Sequence, residues 1–139
     1  MRFWDSSAIL ALLLKEKGSP EALKAYREDD EQSVWCLTEV EIASALSRRV
    51  REGMDPHDER TARTQFGLLL GRWIEVASLE SVRARALRLL GTHGLRAADA
   101  LQLAAALVFC DEQTESLPFV CLDDRLSEAA RKERFPVLP

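Results

Sequence analysis

Histidine and cysteine are scarce in this chain, and neither is arranged for chemistry. The two histidines, His57 and His93, stand alone in polar surroundings and make no zinc-ligand pattern. The three cysteines, Cys36, Cys110 and Cys121, are odd in number and show no Cys-x-x-Cys spacing. They read as reduced thiols packed as small hydrophobes in a cytosolic protein. No Ser–His or Cys–His pairing for nucleophilic catalysis is visible. No segment approaches the ~20 consecutive apolar residues of a membrane span. Met1–Asp5 lacks the basic region, apolar run and small-residue cleavage site of a signal peptide. Repeats, low-complexity tracts and linkers are missing too. The expectation is a cytoplasmic protein with no membrane partner.

What is present is a chain of 139 residues, 47% hydrophobic, which suits one globular domain over 1–139 with a substantial core. The net charge of −4 argues against a nucleic-acid partner, but the sum conceals its parts. Fifteen of the nineteen basic residues are arginine, the side chain that best matches phosphate. Arg48, Arg49, Arg51, Arg60, Arg63 and Arg72 lie close together in sequence. They form either a phosphate-contacting face or a solvated one with Glu52 and Glu59 interspersed.

Apolar patterning alternates strands with helices. Met1–Trp4 reads as a first strand and Ala8–Leu14 as a helix, with Ser6 or Ser7 as its cap. A polar helix follows over Pro20–Arg27, and Ser33–Leu37 is a second strand. The apolar positions Val40, Ile42, Ala43, Ala45, Leu46 and Val50 have helical period. Further helices are expected from Asp55-Pro56 to Leu70, over Leu79–Leu90, Ala97–Phe109 and Leu126–Ala130. Strands are expected at Arg72–Ala77, Pro118–Leu122 and, on an edge that tolerates proline, Phe135–Pro139. Such alternation implies an α/β domain with a mostly parallel sheet of four to five strands, helices on both faces, and a site at the carboxyl ends of the strands.

Four acids fall at that edge. Asp5, Glu41 and Asp123 each come just after a strand, and Asp99 sits in the first turn of a helix apolar nearly all round. An ionised carboxylate taken out of water needs a partner. Each acid has a plainer reading: Asp99 complements the helix dipole, and Thr38-x-x-Glu41 matches a capping box. Glu39 and Glu41 point in different directions on a helix, so at most one of them faces a given site. Together, however, four clustered carboxylates repel one another, and divalent cations resolve the repulsion. Mg²⁺ and Mn²⁺ prefer oxygen ligands, and one or two such ions activate water for phosphodiester cleavage.

Four segments resemble the PIN-domain ribonucleases, and within them the VapC toxins of bacterial toxin–antitoxin pairs. These are Phe3-Trp4-Asp5-Ser6-Ser7-Ala8; Leu37 to Leu46, with Glu41 rather than Glu39 at the acid's place; Leu95 to Ala106 around Asp99, the most specific match; and Phe119 to Ala130 around Asp123. Their order and spacing cover essentially the whole chain. The resemblance implies a three-layer α/β/α PIN-like domain and a Mg²⁺- or Mn²⁺-dependent endoribonuclease. Asp5, Glu41, Asp99 and Asp123 would be its catalytic, metal-binding acids, with Ser7 supporting Asp5. It also implies an RNA substrate, a homodimer, and a cognate VapB-like antitoxin that presents a basic residue near the acids.

Two positions depart from the pattern or leave it open. Cys121 stands where the family often has Thr or Ser, and a thiol is the weaker hydrogen-bond partner. Asp123 and Asp124 both offer the last acid; Leu126, three residues after Asp123, favours Asp123 and leaves Asp124 beside the site or on the surface. Arg48 and Arg49 are the expected contacts to the RNA backbone, with a dimer partner or the antitoxin as equal alternatives for the face they form. Two other classes compete. One is a catalytically inactive PIN-like domain that binds protein or RNA. The other is a phosphoaccepting receiver domain, which needs a lysine at the end of a late strand; Lys15, Lys17, Lys24 and Lys132 are not so placed.

Overall fold

The computed structural model describes residues 1–139. Five short strands form one sheet: β1 (Arg2–Trp4), β2 (Gln32–Trp35), β3 (Ile74–Val76), β4 (Phe119–Val120) and β5 (Val137–Leu138). All neighbours pair in parallel, in the order β3-β2-β1-β4-β5. The chain builds outward from β1 in one direction through β2 and β3, then returns to add β4 and β5 on the other side. The order reverses between β1 and β4, and in open parallel sheets that crevice receives the ligand.

Seven helices cover the sheet: α1 (Ser6–Leu13), α2 (Ser19–Glu28), α3 (Thr38–Arg51), α4 (Pro56–Leu70), α5 (Leu79–Thr92), α6 (Ala97–Phe109) and α7 (Asp124–Lys132). Side chains alternate across a strand, so each strand supplies two cores. Trp4, Val34 and Val120 pack against Ile9, Ala22, Ile42, Leu46 and Phe66 from α1–α4. Their neighbours Phe3, Trp35 and Phe119 point the other way, against Val82, Leu89, Leu103, Leu107 and Leu126 from α5–α7. The result is the expected three-layer α/β/α arrangement, with five strands and no antiparallel one.

Several caps differ from the sequence reading. Helix α1 is capped by Asp5, whose side chain accepts the Ser7 N–H, not by Ser6 or Ser7. Leu37, which offers no side-chain cap, precedes α3; Thr38 is its first residue and is fully buried, so the expected capping box does not form. Helix α5 continues through Gly91 and Thr92, and α7 begins at Asp124 with Asp123 as its cap. Helix α6 spans Ala97–Phe109 as expected, because its residues are almost all small or apolar and no breaker interrupts them.

Candidate active site

Asp5 leaves the end of β1 beside the switch point and is 3% exposed. Its Oδ2 accepts two hydrogen bonds from one residue, the Ser7 N–H at 3.0 Å and the Ser7 hydroxyl at 2.6 Å. The Ser7 oxygen in turn accepts the Leu122 N–H at 2.9 Å, which ties α1 to the end of β4. Ser7 therefore orients one oxygen of Asp5. Burial pushes the Asp5 carboxyl above its ordinary pKa, against the pull of the hydrogen bonds from Ser7 and Cys121.

Glu41 lies in the first turn of α3 and is half-buried. Its two oxygens are held from opposite elements: Oε2 accepts the Ser6 hydroxyl of α1 at 3.0 Å, and Oε1 accepts Gln102 Nε2 of α6 at 3.0 Å. Desolvation raises its pKa, and the charges of Asp5 and Asp99 add to the rise. Asp99, in the first turn of α6, is also half-buried. Its pKa rises through burial first, then through repulsion by Asp5 and Asp123, with Arg96 pulling the other way. The dipole reading of Asp99 and its place in an acid cluster are thus compatible.

Asp123 is exposed at the rim, where its Oδ1 accepts the Leu126 N–H at 2.8 Å and closes the first turn of α7. Asp124 is exposed as the first residue of that helix. Cys121 couples the two ends of the cluster. Its sulfur lies 3.6 Å from Asp5 Oδ2 and accepts the Asp123 N–H at 3.4 Å. Burial, then the charge of Asp5, drives the thiol pKa far up, so it stays protonated as a weak donor.

The fold therefore gathers Asp5, Glu41 and Asp99 into mutual repulsion, with Asp123 near enough to act on Asp99. Yet no three Asp, Glu, His or Cys side chains form a closed metal-holding group. Repulsion reaches well beyond the ~2.1 Å of a magnesium–oxygen bond, so the cluster is open rather than converged on one point. Mg²⁺ tolerates that arrangement, since it binds through one or two carboxylates and keeps several waters. The all-oxygen donor set fits a hard divalent cation.

The arginines lie elsewhere. Arg48 and Arg49 are in the last two turns of α3 and exposed, roughly 10 Å along the helix from Glu41 at 1.5 Å per residue. Arg49 pairs with Glu16 at 2.8 Å and lines a cavity of about 640 Å³ between α1, α2 and α4. Sequence reasoning read Ser6 and Thr38 only as capping residues and passed over Gln102, whose signal was to be the one polar residue within Ala100–Phe109.

The PIN domain family model matches residues 2–132. Among solved structures, the PAE2754 protein of Pyrobaculum aerophilum superposes with TM-score 0.62 at 21% identity, covering 92% of this chain and 78% of that one. A toxin–antitoxin complex from Klebsiella pneumoniae gives 0.59 at 19% identity over 88% and 87% of the two chains. VapBC2 from Rickettsia felis, bound to a DNA fragment from its promoter, gives 0.58 at 12% identity over 99% and 98%. No curated protein matches the sequence significantly. At these identities the structural likeness establishes the fold.

Proposed function

This chain belongs to the PIN domain family, and from that premise we propose that it is a metal-dependent endoribonuclease and the toxin of a toxin–antitoxin pair. PIN domains are generally nucleases. One observation carries the proposal. Three buried or half-buried carboxylates, Asp5, Glu41 and Asp99, gather at the carboxyl edge of the sheet with Asp123 at the rim; burial raises the proton affinity of each, and the charge of Asp5 adds to the rise at Glu41 and Asp99. A fold does not keep such a cluster for stability, because buried charge costs more than it returns.

Asp5, Glu41, Asp99 and Asp123 would hold Mg²⁺ or Mn²⁺, which when bound supplies charge stabilisation and lowers the pKa of water. The chain's own groups do the positioning. Ser7 fixes Asp5, and Ser6 and Gln102 fix the two oxygens of Glu41. The cap bond to Leu126 fixes Asp123, with Asp124 beside it on the open rim. Arg48 and Arg49 would contact the RNA backbone, with Arg49 exchanging Glu16 for phosphate. One structural neighbour is a toxin–antitoxin complex and another is VapBC2 bound to promoter DNA. That supports a VapB-like antitoxin, whose basic side chain the acidic edge would attract; a homodimeric toxin is part of the same proposal.

Cleavage of total cellular RNA by the antitoxin-free protein tests this reading. Discrete fragments are expected with Mg²⁺ or Mn²⁺. They should be absent with EDTA and with Asp99→Asn. The open cluster and the weak Cys121 donor favour one second reading, a domain that binds RNA or protein without cutting. RNA binding with no cleavage by folded, metal-loaded protein would decide for that second reading.

A further inference from the structure

Helix α6 buries seven of its thirteen residues, and Gln102, at 0% exposure, is the one polar side chain among them. An apolar residue there would be buried at no polar cost, whereas an amide must find partners. Gln102 finds only half of its own. Nε2 donates to Thr38 Oγ1 at 2.9 Å and to Glu41 Oε1 at 3.0 Å, while the buried Oε1 has no partner. Both donors are spent on one face of α3, because Thr38 and Glu41 are three residues apart and neighbours on the helix surface. Turning the amide over would set its oxygen against a carboxylate oxygen, so Glu41 itself dictates which way Gln102 points. A buried carbonyl left unpaired is the cost of aiming two N–H groups at α3.

We propose that Gln102 is the positioning residue for Glu41, clamping its carboxylate from α6 while Ser6 holds the other oxygen from α1, in the orientation that meets the divalent ion. The inference rests on the metal-site reading above. A neutral amide suits the task better than a cation: it orients the carboxylate without adding positive charge that would repel the ion. Partners behind a metal ligand set its orientation, and losing one costs about 10–100-fold in metal affinity. Asp99 lies three residues before Gln102 on the same helix face. Helix α6 thus supplies one acid of the cluster and aims a second.

Calorimetric titration of the full chain with Mn²⁺ tests this, using wild type, Gln102→Leu, Gln102→Met, Glu41→Gln and the Gln102→Leu/Glu41→Gln double variant. Both single Gln102 variants should bind Mn²⁺ about 10–100-fold more weakly, with melting in EDTA still cooperative and no lower in temperature. In the Glu41→Gln background Gln102→Leu should have little further effect, since a residue acting through Glu41 has nothing left to aim. Wild-type affinity in both Gln102 variants would overturn the proposal and leave the metal site standing. So would an equal loss with and without Glu41, or a loss of cooperative melting in both variants, which would mark Gln102 as structural. No Mn²⁺ binding by wild type would overturn the metal-site reading, and this inference with it.

Discussion

A carboxylate as enclosed as Asp5 is costly when ionised, and its position makes that cost measurable. Its folded pKa is raised above the ordinary 3.8 by burial, as are those of Glu41 and Asp99. Between the unfolded and folded values the native state holds more protons than the unfolded one, so stability falls as pH rises through that window. Without divalent ions, the melting temperature should therefore climb as pH falls from neutral towards the ordinary carboxylate range. Glu133 works in the opposite sense: burial alone would raise its pKa, but Arg88 and His93 bring it below 4.5, so its contribution is lost only at lower pH. Mn²⁺ at neutral pH should offset the penalty. At a hundredfold excess over its dissociation constant, binding adds about 2.7 kcal/mol, roughly 5–10 °C in melting temperature. A melting temperature indifferent to both pH and Mn²⁺ would contradict the account. Asp123 separates a second pair of roles, because asparagine caps a helix about as well as aspartate. Asp123→Asn should leave stability nearly unchanged, and Asp123→Ala should cost about 1 kcal/mol through the lost cap of α7. Both should lower RNA cleavage.

Among the elements, α6 and α3 show what the sequence could and could not convey. The nearly continuous small and apolar residues from Ala97 to Phe109 marked α6 to its ends, and Asp55-Pro56 marked the start of α4. Local pattern failed where a distant residue took the decision. Thr38-x-x-Glu41 has the spacing of a capping box, yet Glu41 turns instead to Gln102, 61 residues away in sequence. At the start of α1 the sequence offered Ser6 or Ser7 as cap, whereas the cap is Asp5, the acid that also faces the cluster. The four acids were legible because each follows a strand or opens a helix. Their partners Ser6 and Gln102 were not, because hydrogen bonds between α1, α3 and α6 leave no local spacing. Small residues set how closely α6 approaches the sheet: Ala104, Ala105 and Ala106 are all fully enclosed. Ala105→Leu should overpack this contact and destabilise the protein by about 1–3 kcal/mol, read by denaturant unfolding.

Across the whole molecule, the parallel order β3-β2-β1-β4-β5 brings Asp5 and Asp123, far apart in sequence, to the same switch point. The sequence conveyed that alternation but not the strand lengths, since two- and three-residue strands are defined by pairing and not by their own pattern. Nucleic-acid affinity should depend on local arginines and not on the net charge of −4. Replacing Arg48 and Arg49 together by alanine should weaken RNA binding and flatten its salt dependence by about 1.4 in log–log slope, at ~0.7 per phosphate contact on a single strand. An unchanged slope would place the RNA elsewhere. The central claim, that Asp5, Glu41, Asp99 and Asp123 form one divalent-ion site, is tested most directly by anomalous diffraction at the manganese edge from crystals of Mn²⁺-loaded protein. A manganese peak about 2.1 Å from carboxylate oxygens of at least two of these acids is the expected result. Ordered manganese only elsewhere, or none beside well-ordered acids, would contradict it.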